Sequence, residues 1–340
     1  MLPTKETSKR IAKDMTDVVG HTPMVYLHKI TEGLEAKIAV KLEYINPSMS
    51  VKDRPAVHML EDAEKSGALK PGDVVLEATS GNMGIGLAMA CAIKGYKLVL
   101  VIPDSMSLER RILCKAHGAT VILVDHKAGF EGKIKKAEEL QKFIPNCFFL
   151  NQYVRESNID CHYKSTGPEI WDQTNGQVDV LVLGVGTGGT LSGAGKFLKE
   201  KNSNIKLYAV EPYESSVING FEAGKHLIQG IGSGTITPNI KPIYEEALRV
   251  KSEDAINMAK TLATKEGILC GISSGANVCA ALQLAKRPEN KQKLIVTCLP
   301  SYGERYLSTD LYQNIKEECE KLRATELEED KKLLTEVLGL

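Results

Sequence analysis

The chain has 340 residues, with 43 basic and 43 acidic side chains and a net charge of zero. It therefore has no field to draw in nucleic acid or an anionic membrane surface, and no apolar run approaches the ~18 residues that a spanning helix needs. With 43% hydrophobic and 25% charged residues, it reads as a soluble globular protein of one large or two ordinary α/β domains, whose partner is a small molecule or another protein.

The N-terminal MLPTKETSKRIAKDM is polar and lacks the apolar core of a signal peptide. We expect a cytoplasmic protein, the basic start leaving a mitochondrial address open. Short β-branched runs then recur at 37–42, 73–77, 97–102, 119–124, 147–150, 179–183, 206–210 and 293–299. Amphipathic segments at 57–66, 84–94, 107–117, 132–143, 189–199, 253–266 and 275–284 separate them. The strands are near-continuous apolar runs, buried on both faces, which predicts parallel sheets with right-handed crossovers. The polar stretch 151–164 is the expected crossing between lobes, and the Glu- and Lys-rich tail from 315 to 340 a charged surface helix. None of the eight cysteines forms a CxxC pair, and most lie in apolar surroundings. Buried reduced thiols fit better than a metal or disulfide framework.

Lys52 stands just past the break at Asn46-Pro47, at the expected start of a helix. The positive end of the helix dipole disfavours its protonated form there, and a lysine that can lose its proton can form a Schiff base. By position alone it reads more readily as a surface lysine.

Three loops change that reading, because ligands of open parallel sheets bind where loops leave the carboxyl ends of strands. The first, EATSGNMGIG, offers Thr79, Ser80 and Asn82 at a helix start, an anion site or an ordinary cap. The second, from Gly184 to Thr190 (GVGTGGT), can wrap backbone N–H groups around a phosphate. It is neither a P-loop, since no GK[ST] follows, nor G-x-G-x-x-G, since Thr190 replaces the third glycine, so a nicotinamide dehydrogenase is set aside. In the third, GISSGA, Ser273 can bond a neutral ring nitrogen or serve as a helix cap. One lysine, a phosphate cradle, a carboxylate cradle and a lone serine make the inventory for pyridoxal phosphate handling an amino acid.

Six motifs in order, NPSMSVKDR, ATSGNMGIG, GVGTGGTLSGAGKFLKE, IQGIGSG, GISSGAN and PSYGERYLST, together with STGPEIW, resemble the O-acetylserine sulfhydrylase (cysteine synthase) family from about Asp17 to Thr309. The resemblance implies an α/β, fold type II, tryptophan synthase β-like enzyme, usually a homodimer. It implies a smaller lobe at 50–155 with a mobile part near 92–140, and a larger phosphate-binding lobe from 10–49 and 156–320, followed by the tail 321–340. Lys52 would be the Schiff-base lysine and general base. Asn82 would bond the ring hydroxyl, Gly186, Thr187, Gly188, Gly189 and Thr190 the phosphate, and Ser273 the ring nitrogen. Thr79, Ser80, Asn82, Met83, Gln152 and Gly230 would bind substrate. A serine facing the ring nitrogen, in place of an Asp, steers the chemistry to β-elimination and replacement.

Departures from the family pattern bear on the substrate. Met83 stands where cysteine synthases have Thr, and Leu183 where they have Ser; both marks resemble β-cyanoalanine synthases, whereas Thr187 is of the cysteine synthase type. A thioether is a softer neighbour than a hydroxyl. DHKAGFEG at 125–132 replaces PGxxGMKG in a part expected to move on closure, and Tyr153 replaces Phe, its hydroxyl touching substrate or facing water. No heme-binding leader or regulatory module past Thr309 points to cystathionine β-synthesis. The expected reaction is cysteine plus cyanide giving β-cyanoalanine and hydrogen sulfide, with O-acetylserine sulfhydrylation as the alternative. A third reading, of another class, is a regulatory protein that accepts a partner's C-terminal peptide in its cleft.

Overall fold

Short apolar runs cannot leave their backbone groups unpaired once buried, and in the computed structural model, which describes residues 11–79 and 81–339, they pair into two sheets. In chain order the strands are β1 (Met24–Tyr26), β2 (Lys37–Lys41), β3 (Val74–Ala78), β4 (Lys97–Pro103), β5 (Thr120–Val124), β6 (Cys147–Phe149), β7 (Val180–Gly184), β8 (Lys206–Pro212), β9 (Glu246–Val250) and β10 (Leu294–Cys298). The larger sheet has the order β1-β2-β10-β7-β8-β9 and the smaller β5-β4-β3-β6. Every pairing is parallel except β1 with β2, where Met24 faces Lys41. At the centre of the larger sheet all five residues of β10 are buried.

Eleven helices accompany the sheets among the described residues: α1 (Asp53–Lys65), α2 (Asn82–Lys94), α3 (Leu108–Ala116), α4 (Gly129–Phe143), α5 (Ser157–Lys164), α6 (Thr166–Gln173), α7 (Gly189–Lys201), α8 (Ser252–Glu266), α9 (Ile272–Ala285), α10 (Gln313–Lys321) and α11 (Leu327–Leu338). α2 is buried without interruption from Met83 to Cys91, as expected of a helix that is apolar all round.

Several sequence expectations need correction. The antiparallel β1 and the strand β9 were not anticipated: the first is a three-residue edge with two exposed side chains, and in the second Glu246 and Arg249 break up the apolar run. The crossing segment 151–164 is not all loop, since its second half is α5, and α6 follows directly. The tail is two helices, α10 and α11, neither with a buried residue. α1, α2, α4 and α9 begin two to four residues before their apolar periodicity does, because glycines and polar groups in a first turn carry no periodic signal.

Charged groups join the lobes beneath the loop that carries Lys52. Arg54 of α1 pairs through Nε with Glu43 (2.7 Å) and through its terminal nitrogens with both carboxylate oxygens of Glu169 in α6 (2.7 Å each). Lys41 of β2 bonds the same Glu169 at 2.8 Å. All four are buried, so each charge has the partner that burial demands. The adjoining loop is held by Val51 N–H donating to the Pro300 carbonyl at 2.8 Å and by a bridge between Ser50 and Ser301.

Candidate active site

The loops leaving β3, β7 and β10 converge on a cavity of about 390 Å³, within the range of small-molecule sites. Lys52, the residue before α1, faces it. Among the described residues Nζ has no hydrogen bond or ion pair, and burial pushes its pKa down to about 8. Asp53 starts the helix, accepting from Ser48 N–H and Ser48 Oγ; burial raises its carboxyl to about 6.

The loop after β3 brings Thr79, Asn82 and Met83 to the wall; Ser80, expected beside them, lies outside the described residues. Thr79 Oγ1 accepts from Gly81 N–H (3.1 Å). Gly81, at φ 132°, sits where a Cβ would run into the Arg110 side chain, so only glycine lets the loop pass. Asn82 Oδ1 accepts from Arg305 (3.0 Å), which leaves its amide N–H groups to face the cavity. Gln152 donates through Nε2 to Glu77 (2.9 Å). Glu77 is wholly buried, its other oxygen has no hydrogen-bond partner among the described residues, and burial raises its pKa to about 7.

The glycine loop lines the cavity through Gly186, Thr187, Gly188 and Thr190, with Leu183 and Gly184 at its base. Its glycines are required by close packing. A Cβ on Gly186 would lie 2.6 Å from the Gly230 carbonyl oxygen, and one on Gly188, at φ 88°, 2.8 Å from the Ile240 nitrogen. Gly189, expected among the phosphate contacts, opens α7 behind the wall, packed on the Asn158 amide. Thr187 Oγ1 accepts from Asn158 Nδ2 (3.1 Å), keeping only its hydroxyl hydrogen to offer. Thr190 Oγ1 lies 3.2 Å from His162 Nε2, and His162 Nδ1 2.8 Å from Thr166 Oγ1. Burial, and then the nearby Arg54, hold His162 neutral, well below the usual histidine range. Ser273, in the first turn of α9, is buried and faces the cavity. Beside it Gly230, at φ 106°, is open: a Cβ there would meet only Ser273 Oγ, at 3.7 Å.

A free lysine amine of lowered pKa, an N-terminal helix turn lined by glycine and hydroxyls, and an open glycine beside a serine fit pyridoxal phosphate. The sequence reading missed Arg110, Lys133, His162 and Glu77. One signal was legible: Phe130, Lys133, Ala137 and Leu140 share one stripe of α4, and Lys133 is a lysine in its apolar register. Tyr153 is buried against the cavity, and its OH accepts from Lys133 Nζ at 2.9 Å.

Comparison with known proteins agrees with this geometry. The family described as pyridoxal-phosphate dependent enzyme matches residues 15–301. Cysteine synthase 3 of Caenorhabditis elegans is 51% identical over 332 residues, covering 97% of this chain and 98% of the relative. The crystal structure of O-acetyl serine sulfhydrylase isoform 3 from Entamoeba histolytica superposes with a TM-score of 0.85 at 43% identity, covering 96% of each chain. A hydrogen sulfide-producing enzyme from Fusobacterium nucleatum gives 0.85 and 43%, covering 87% of this chain and all of that one.

Proposed function

Because this chain belongs to the pyridoxal-phosphate-dependent enzyme family, as a β-replacement enzyme of the cysteine synthase type, we propose that its reaction is O-acetylserine plus hydrosulfide giving cysteine and acetate. The observation that carries this reading is the unpartnered Lys52 amine in one cavity with the glycine loop and Ser273. The names of the similar proteins, cysteine synthase and O-acetyl serine sulfhydrylase, support sulfide as the nucleophile.

Bound pyridoxal phosphate supplies an electron sink for the α-carbon of the amino acid. In our reading the Lys52 amine would hold the cofactor, and Nζ would take the α-proton of the amino acid as general base. The first turn of α7 and Thr190, oriented by His162, would hold the phosphate. Asn82 would donate to the ring hydroxyl, and Ser273 would face the ring nitrogen. Thr79 and Gln152 would orient the substrate carboxylate, with Glu77 fixing the Gln152 amide.

A second reading, cysteine plus cyanide giving β-cyanoalanine and hydrosulfide, rests on Met83 and Leu183. Both line the cavity and are 1% and 2% exposed, so each presents apolar surface where a hydroxyl would bond a polar ester. The test is to compare cysteine formed from O-acetylserine and sulfide with sulfide released from cysteine and cyanide. Faster cysteine formation supports the main reading, and faster sulfide release the second. Met83→Thr is expected to shift the ratio toward cysteine formation by about tenfold, the worth of one hydrogen bond; an unmoved ratio removes Met83 from the argument.

A further inference from the structure

Among the described residues no aspartate or glutamate lines the cavity, but three cationic side chains do: Lys52, Arg110 and Lys133. Lys52 is assigned to the cofactor. Arg110 is engaged, donating to Gln229 across the cleft with its guanidinium 5.3 Å over the Tyr306 ring. Lys133 is also engaged, but with donors to spare. It is 4% exposed, and the one hydrogen-bond partner of Nζ among the described residues is the neutral Tyr153 hydroxyl. Its ammonium stands 5.2 Å from the Phe130 ring centre and 4.9 Å from that of Tyr153, the two rings meeting edge to face. Glu77, whose carboxyl the Lys133 charge partly offsets against burial, is bonded to Gln152 and makes no ion pair with Lys133. An ammonium has three donors, and a buried cation is costly without an anion beside it. Tyr153 takes one donor, and the remaining charge faces the cavity.

We propose that Lys133, positioned by Tyr153, forms a subsite for a small monoanion inside the catalytic cavity, and that this anion is hydrosulfide. The identity of the anion rests on the β-replacement reading above; the subsite itself does not. Hydrosulfide attacks in one form of that reaction and leaves in the other, so the subsite serves both. Tyr153 directly follows Gln152, the residue assigned to the substrate carboxylate, which sets the subsite beside the amino acid. Hydrogen cyanide, uncharged at neutral pH, gains nothing from the ammonium.

The experiment uses holoenzyme. Lys133→Met is expected to raise KM for sulfide about tenfold, with KM for O-acetylserine and the cofactor spectrum unchanged and with Lys133→Arg restoring most of the loss. An unchanged sulfide KM, or an equal rise for both substrates, overturns the proposal. Independently of turnover, azide, a compact monoanion, is titrated calorimetrically into each holoenzyme. One site in the wild type that is lost in Lys133→Met supports the subsite even where no cysteine forms. Equal binding to both, or binding to neither, overturns it. Tyr153→Phe keeps the cation and removes the hydroxyl that positions it, so azide should bind more weakly than to the wild type but more tightly than to Lys133→Met; binding equal to the wild type takes the positioning role away from Tyr153.

Discussion

Lys52 gives up its proton more readily than a surface lysine because protein replaces the water that would stabilise its ammonium. Its position after Asn46-Pro47 was legible in the sequence; the cause of its reactivity was not, because burial is decided by segments far along the chain. The lowered pKa sets a measurable window. On the proposed reading the neutral amine that would capture the cofactor grows in as pH passes about 8, well below the ordinary 10.5. The rate of pyridoxal phosphate uptake by the apoprotein, followed by absorbance, is expected to rise with a midpoint near 8; a midpoint near 10.5 would contradict the burial argument. Lys133, Arg110 and Glu77 escaped sequence reading for a related reason. Each looks like a solvated charge, and only the packed helix or strand shows that it points inward.

Among elements, the strands of both sheets were legible because burial on both faces writes continuous apolar runs. The starts of α1, α2 and α9 were legible as loops more than as helix, yet they carry Asn82 and Ser273 and, just before α1, Lys52. α5 and α6 were hidden by Ser, Asn, Gly and Pro, residues that carry weak helix propensity. α6 nevertheless supplies Glu169, which joins Arg54 and Lys41. Burial alone would raise the Glu169 carboxyl, but Arg54 and Lys41 bring it down to about 2, below its ordinary 4.5. The folded value being the lower one, its contribution to stability is complete above pH 4.5 and is lost as pH falls toward 2. Glu169→Gln leaves two buried cations short of a charge and is expected to cost about 3–5 kcal/mol at neutral pH, read by denaturant titration. Below pH 4.5 the variant should lose stability less steeply than the wild type, and parallel curves would refute the assignment.

Across the whole molecule, the two sheets meet over the cavity through a few polar ties. Arg305 joins Asn82 to the Ser48 carbonyl, Arg110 reaches Gln229, and Ser308 donates to Glu109 at 2.7 Å. The tie at Gln229 belongs to this scale, since it connects α3 of the smaller sheet to the loop between β8 and β9. Gln229→Ala is expected to raise amide hydrogen exchange in α3 severalfold and leave α7 unchanged; unchanged exchange in α3 would show that the tie restrains nothing. The pairing of Ser50 with Ser301 and of Val51 with Pro300 reaches further, into biosynthesis. A ribosome that has released β3 to β6 has delivered the whole smaller sheet and a lysine still in water. The surroundings that make that lysine reactive arrive only with the strand before Pro300. On the proposed reading, cofactor capture is expected only once the strand before Pro300 has been made, and a fragment that stops short of it should not hold the cofactor.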